Sequence, residues 1–252
     1  MKISSSEIAS LVRALSKTAN KPHFTSAIIA AAGSGTRMCS EGGTTKQLLT
    51  LCDMPVIVRT LKAFEECELI NEIIVVARED EIPVYDEYKE KYSLTKLRAV
   101  IAGGETRQES VLRGFEAISD KSEFVAIHDG ARCLITAEKI RSVLAEAYRT
   151  GASTAATRAT DTVKRSNSKN YITETLDRSE LWLAQTPQCF KTELYRAAAY
   201  IAKEDGFTAT DDNALAEHLG FDVKLVDTGT DNIKITTPAD LAIAEVILRN
   251  RK

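Results

Sequence analysis

The sequence has 252 residues, 44% of them hydrophobic and 27% charged, with a net charge of −3. This is the composition of a soluble globular protein long enough to bury a sizeable core, and with no basic block it argues against a nucleic-acid surface. No apolar run approaches the roughly 20 residues of a membrane helix. The five cysteines are odd in number and form no CxxC pair, which argues against a disulfide framework or a zinc site and suits a reducing cytoplasm.

In chain order, residues 1–22 read as an N-terminal extension. Ile8, Leu11, Val12 and Leu15 share one helical face behind Ser5 or Ser6 as cap. This segment lacks the apolar core of a signal peptide, and docking on the protein's own body or on a partner subunit is its expected role. Residues 23–252 read as one domain. Nearly continuous apolar runs at 27–32, 73–77, 99–102, 124–128 and 153–157 predict strands buried on both faces. Helices are predicted at 56–66, 106–118, 136–149, 192–204, 211–219 and 238–249. The first of these starts after Pro55, the second opens on Thr106 and Glu109 in capping-box spacing, and the last opens on Thr237 and Pro238. This alternation predicts an α/β fold, a Rossmann-like doubly wound and mostly parallel sheet. The polar stretch 158–184 breaks the rhythm and reads as a projecting β-hairpin arm, with strands at 160–165 and 171–176 around a turn. Two strands alone are marginal in water, so the arm is expected to lie on a second subunit.

The chemistry-bearing residues sit at the ends of these runs. Gly33, Ser34 and Gly35 follow the first strand, and such a turn lets backbone N–H groups approach a polyphosphate. It is neither a Walker A loop nor a dinucleotide fingerprint. Arg37 and Lys46 supply cations near that loop, and Gly103-Gly104-Glu105 makes a second glycine turn at a helix start. Asp129, at the end of the fourth predicted strand, is placed to serve as a Mg²⁺ ligand or alternatively as a helix cap or ion-pair partner, while His128 reads as a packed, hydrogen-bonded residue. The arm offers Thr162, Lys164 and Arg178 as hydroxyl and cationic donors for a phosphate or polyol, with Asp161 beside them, and Lys234 precedes the last helix. No Ser/His/Asp or Cys/His nucleophile arrangement is apparent.

Taken together, AAGSGTRM, KQLL, GGETRQESV, HDGAR, DTVKR, LDRSELW, QTPQ, TDDNA and DNIKITTPADL occur in order, and the chain from about 26 to 249 resembles the 2-C-methyl-D-erythritol 4-phosphate cytidylyltransferases. The resemblance implies that Ala31, Ala32, Gly33, Ser34 and Gly35 wrap the phosphates of CTP. It implies that Arg37, Lys46, Arg178 and Lys234 are catalytic cations, that Gly104, Glu105 and Ser110 hold cytosine and ribose, and that Asp129 serves Mg²⁺ and the nucleotide. Thr162 and Arg178 would reach the polyol phosphate of a neighbouring subunit in a homodimer, with Arg132, Thr186 and Thr210 completing the acceptor site. The chain departs from the usual pattern at Ala30, Thr45 and Cys133, where prolines are common. A ribitol 5-phosphate cytidylyltransferase shares the motifs, although the AAAG start and the DNIK segment favour methylerythritol phosphate. A nucleotide-binding regulator without catalysis is the reading from another class.

Overall fold

Strand β1 (Thr25–Ala30) is apolar on both faces, and a strand of that kind belongs in the middle of a sheet. The computed structural model describes residues 23–33 and 45–251; the N-terminal extension and its predicted helix lie outside them. β1 lies between β4 (Glu72–Ala77) and β6 (Phe124–Asp129) and runs parallel to both. β5 (Leu97–Ala102) extends the sheet beyond β4. On the other side follow β10 (Trp182–Lys191), β7 (Ala152–Arg158) and β11 (Lys224–Asp227), for a seven-stranded order β5-β4-β1-β6-β10-β7-β11 in which only β10 is antiparallel.

Successive β1 side chains point to opposite faces and seed two cores. Ala27 and Ile29 pack with α1 (Val56–Glu66), α2 (Ile82–Lys91) and α4 (Ala137–Thr150). Ile28 packs with α3 (Arg107–Glu116), α5 (Thr192–Glu204) and α6 (Asp212–His218). A third apolar cluster joins α7 (Pro238–Asn250) through Ala244 and Leu241 to Leu51, Leu134 and Ile235. Leu51 belongs to the small pair β2 (Thr50–Leu51) and β3 (Met54–Pro55).

Several elements differ from the sequence reading. β1 ends at Ala30 rather than at residue 32, with one further backbone bond from the Ala31 amide to Val76 O. α2 is additional: Pro83 opens it and it buries only Tyr85, so it carries little periodic signal. β10 is also additional, since Pro187 argues against a central strand. The register shifts between Ala184 and Gln188, and this irregularity accommodates the proline without breaking the ladder on either side. β11 is a largely exposed edge strand with little apolar signal.

The arm leaves the sheet where Arg158 pairs with Trp182, and the Arg158 guanidinium lies 4.1 Å over the indole ring. Its strands β8 (Lys164–Ser166) and β9 (Ile172–Thr175) are shorter than predicted and exposed throughout. Asn167 accepts from the amides of Lys169 and Tyr171, and Asn170 adopts a left-handed φ of 62° that asparagine tolerates well.

α3 lies very close to the sheet at Gly114, where a Cβ would meet Ile28 Cγ2 at 2.6 Å and Val76 Cγ2 at 2.8 Å. Gly114→Ala should therefore destabilise the protein by about 1–3 kcal/mol in urea unfolding, with overpacking outweighing the better helix propensity of alanine. Unchanged stability would mean that α3 can lift off the sheet freely.

Candidate active site

β1 leads on to β4 and β5 on one side, whereas β6 and the later strands lie on the other. Ligands of open α/β sheets bind outside the strands' carboxyl ends where the order reverses in this way. A cavity of about 370 Å³ opens there, lined by Ala32, Gly33, Lys46, Gly104, Glu105 and Ser110 among others. A smaller one of about 180 Å³ includes Arg132, Thr186 and Thr210. Arg107, Asp129 and Lys234 line both, and so form the wall between them.

Small residues line the large cavity beside its charged ones: Ala30, Ala32, Gly33, Gly104 and Ala131. Among the described residues nothing lies within 4 Å of a Cβ placed on Gly33, which lines the cavity. Ala31 turns its methyl into the core and gives its amide to Val76 O at 2.7 Å, so its amide is committed to the sheet. In the second glycine turn, the Gly104 amide donates to Ser110 Oγ at 3.0 Å, and that hydroxyl donates to Thr106 O at 2.8 Å. Thr106 and Glu109 close the capping box expected of them. Lys46 sits in a turn fixed by Leu48 N to Thr45 O and by Ile57 N to Gln47 O, which anchors it to the start of α1.

Asp129 is the electrostatic centre of the wall. Lys234 Nζ lies 2.8 Å from its Oδ2, Arg107 Nε 3.3 Å from its Oδ1, and Arg132 Nε 3.6 Å from its Oδ2. Burial pushes its pKa up, but Lys234, Arg107 and Arg132 together pull it well below the usual carboxylate range. Lys234 is aimed inward by its neighbours. Asn232 is fully buried and donates to Gln185 Oε1 and Thr186 O, both at 2.9 Å, while the amide of buried Ile235 donates to Ala131 O.

A chain of hydrogen bonds runs behind this cluster. The Asp129 amide donates to Thr186 Oγ1 at 3.0 Å, and Thr186 Oγ1 lies 3.0 Å from His128 Nδ1. His128 Nε2 faces the carbonyl of Arg132 at 3.2 Å. A carbonyl can only accept, so Nε2 carries the proton and Nδ1 accepts from the threonine hydroxyl. Burial pushes the His128 pKa down to about 3, against the pull of Asp129, and the ring is neutral.

The fold thus brings Ala32, Gly33, Lys46, Gly104, Glu105, Ser110, Asp129, Arg132, Thr186, Thr210 and Lys234 to two adjoining cavities. Ser34, Gly35 and Arg37 lie outside the described residues. Thr162 and Arg178 line neither cavity and are exposed on the arm, where Arg178 Nη1 donates to Thr160 O at 2.6 Å. Two charged residues escaped the sequence reading. Arg107 bridges Asp129 to Asp212, with Nη1 2.8 Å from Asp212 Oδ2. Both lie inside motifs quoted above, Arg107 in GGETRQESV and Asp212 in TDDNA, but at the first turn of a helix neither sequence position signals an ion pair.

The family model described as 2-C-methyl-D-erythritol 4-phosphate cytidylyltransferase matches residues 25–250. The chain is 43% identical over 227 residues to the protein of that name from Syntrophus aciditrophicus, covering 90% of this chain and 96% of that one. It is 44% identical to the one from Caldanaerobacter subterraneus subsp. tengcongensis, covering 89% and 98%. The crystal structure of 4-diphosphocytidyl-2C-methyl-D-erythritol synthase from Anaerococcus prevotii superposes with a TM-score of 0.82 at 32% identity, covering 91% of this chain and 97% of that one.

Because His128 is neutral in the fold and titrates near 6.5 when unfolded, the unfolded state binds the extra proton between those values. Its contribution to stability is complete above pH 6.5 and is lost as pH falls toward about 3. From pH 7 to pH 5 this residue should cost the fold about 2 kcal/mol. His128→Gln should flatten that part of the stability–pH curve in thermal melts; an unaltered slope would show that other groups carry it.

Proposed function

The chain belongs to the 2-C-methyl-D-erythritol 4-phosphate cytidylyltransferase family, and we propose that it carries out the family's reaction through the two adjoining cavities. It transfers CMP from CTP to 2-C-methyl-D-erythritol 4-phosphate and releases pyrophosphate. One observation carries the assignment of residues: Arg107, Asp129 and Lys234 form a wall shared by a larger and a smaller cavity, as needed where two phosphate-bearing substrates meet.

In this reading the triphosphate enters the larger cavity past Ala31–Gly35, with Arg37 and Lys46 on its phosphates and Gly104, Glu105 and Ser110 around cytosine and ribose. The acceptor phosphate occupies the smaller cavity beside Arg132, Thr186 and Thr210. A phosphate-monoester oxygen attacks the α-phosphorus, a new P–O bond forms, the bond to the β-phosphate oxygen breaks, and pyrophosphate leaves. The attacking group has a second pKa of about 6, so it is largely dianionic at neutral pH and no general base is required. The protein's work is positioning and charge stabilisation by Lys46 and Lys234.

Mg²⁺ fits this donor set. Asp129 is ionised and lines the cavity, and because Lys234 and Arg107 already meet its two oxygens, Mg²⁺ would reach it through water or by displacing one of them, with substrate phosphates as the main ligands. No cluster of three or more metal-ligating side chains occurs among the described residues, so the triphosphate would supply most of the oxygens. Bound there, the ion would neutralise triphosphate charge.

Residues 23–252 act as one nucleotidyltransferase domain, with 1–22 as an appendage. The arm belongs to the site of a second copy. Thr162 and Arg178 line neither of this chain's two cavities, and Tyr171, Ile172 and Leu183 are 70%, 65% and 55% exposed, apolar side chains that a homodimer contact would cover. A cytoplasmic location agrees with the four free cysteines among the described residues. Among those residues no helix is long and apolar enough to cross a membrane.

Pyrophosphate release should be rapid with CTP and 2-C-methyl-D-erythritol 4-phosphate, slow with ribitol 5-phosphate, ATP or GTP, and abolished by EDTA. Faster turnover of ribitol 5-phosphate would reassign the acceptor.

The composite site has its own test. Lys46→Ala and Arg178→Ala homodimers should each be nearly inactive. After reassembly of equal amounts, about half the dimers are mixed and one of their two sites is intact, so roughly a quarter of wild-type activity should return. If both residues served one chain's site, no activity would return.

A further inference from the structure

We propose that Asp212 and Tyr195 are positioning residues for this transfer, acting through Arg107 to hold the Asp129 carboxylate on the wall between the two cavities. The inference rests on the reaction proposed above and concerns residues behind its site.

Arg107 is the first residue of α3, and its side chain is held between two carboxylates. Its Nε is 3.3 Å from Asp129 Oδ1 and its Nη1 is 2.8 Å from Asp212 Oδ2. Asp212 lines neither cavity and is 1% exposed, so it is sealed from both substrates. Its other oxygen, Oδ1, accepts from Tyr195 Oη at 2.9 Å, and Tyr195 is itself 1% exposed. The Asp212 amide donates to Gln188 Oε1 at 2.9 Å, which ties the start of α6 to β10. Tyr195 therefore fixes Asp212, Asp212 fixes one edge of the guanidinium, and the opposite edge meets Asp129.

Electrostatics gives this arrangement a purpose. Arg107, Arg132 and Lys234 put three positive charges around Asp129, and Asp212 is the second negative charge in the group. A guanidinium is a planar fork with donors in fixed directions, so two carboxylates on different edges set its plane. Without Asp212, Arg107 would keep only its longer contact to Asp129 and could swing from it to a substrate oxygen. Its third nitrogen, Nη2, is buried with no acceptor among the described residues, so the contacts that orient it there are those to the two aspartates.

The test is steady-state pyrophosphate release from CTP and 2-C-methyl-D-erythritol 4-phosphate by the full-length wild-type protein, Asp212→Asn, Tyr195→Phe, Arg107→Lys and the Asp212→Asn/Arg107→Lys double variant. Thermal melts are run in parallel. Asp212→Asn should lower kcat by about tenfold or more, the size of a weakened buried ion pair, with KM for CTP changed by less than about threefold. Tyr195→Phe should lower kcat less, and again with little change in KM. The double variant should be no worse than Arg107→Lys alone, because both lesions break one contact. Unchanged kcat in Asp212→Asn, or losses that multiply in the double variant, would overturn the proposal. If Asp212→Asn does not fold, Tyr195→Phe combined with Arg107→Lys provides the same cycle. Absence of release by the wild-type protein would overturn the reaction and the relay together. Normal wild-type release with unaffected variants would overturn the relay alone.

Discussion

An ionised carboxylate buried at the end of a central strand constrains much of this molecule. Asp129 is 7% exposed, and an uncompensated charge at such depth costs several kcal/mol. Its compensation comes from three segments far apart in sequence: the start of α3, the turn after β6 and the loop before α7. Each must arrive with a cation in reach. The glycines, caps and buried amides around the site can be understood as the means by which those segments are delivered.

The delivery is largely steric and polar. α3 is seated at Gly114 with no room for a methyl group, which sets the helix's depth on the sheet and with it the position of Arg107. The loop carrying Lys234 is pinned from behind by Asn232, whose carboxamide bonds to Gln185 and Thr186. Asp231 in the same loop pairs with Lys139 at the start of α4 and with Arg251 beyond α7. Thr186 in turn receives the amide of Asp129 and addresses His128. Backbone and side chain of Asp129 are thus held by separate sets of partners, so its direction is fixed as well as its charge.

Much of this frame was legible in the amino acids. Apolar runs such as Ile73–Ala77 could only be doubly buried strands, and Thr106 with Glu109 announced a helix start that the structure forms as a capping box. The glycine turns and Lys46 converge on one cavity because both turns follow parallel strands at the same edge of the sheet. What stayed hidden depends on partners distant in sequence. The strand through Pro187 carried no sequence signal, and an irregular register makes it possible. Arg107 and Asp212 look like ordinary helix-start residues until folding brings positions 105 residues apart within an ion-pair distance of 2.8 Å. The arm's composition signalled a hairpin, but its shortness reflects how few of its side chains find cover within one chain.

The separation of Asp129 from Lys234 has a consequence for how the protein is made. A ribosome emits Asp129 well before Lys234, and the third apolar cluster, which joins Leu51 and Leu134 to Ile235 and Ala244, also waits for the final helix. Long-range contacts of this kind form late, after the loops they close have paid their entropy. During synthesis the strand end that carries Asp129 therefore lacks its nearest cation, and the buried anion is undercompensated until the last segment docks. A nascent or prematurely terminated chain is thereby left without both a finished wall between its cavities and part of its core.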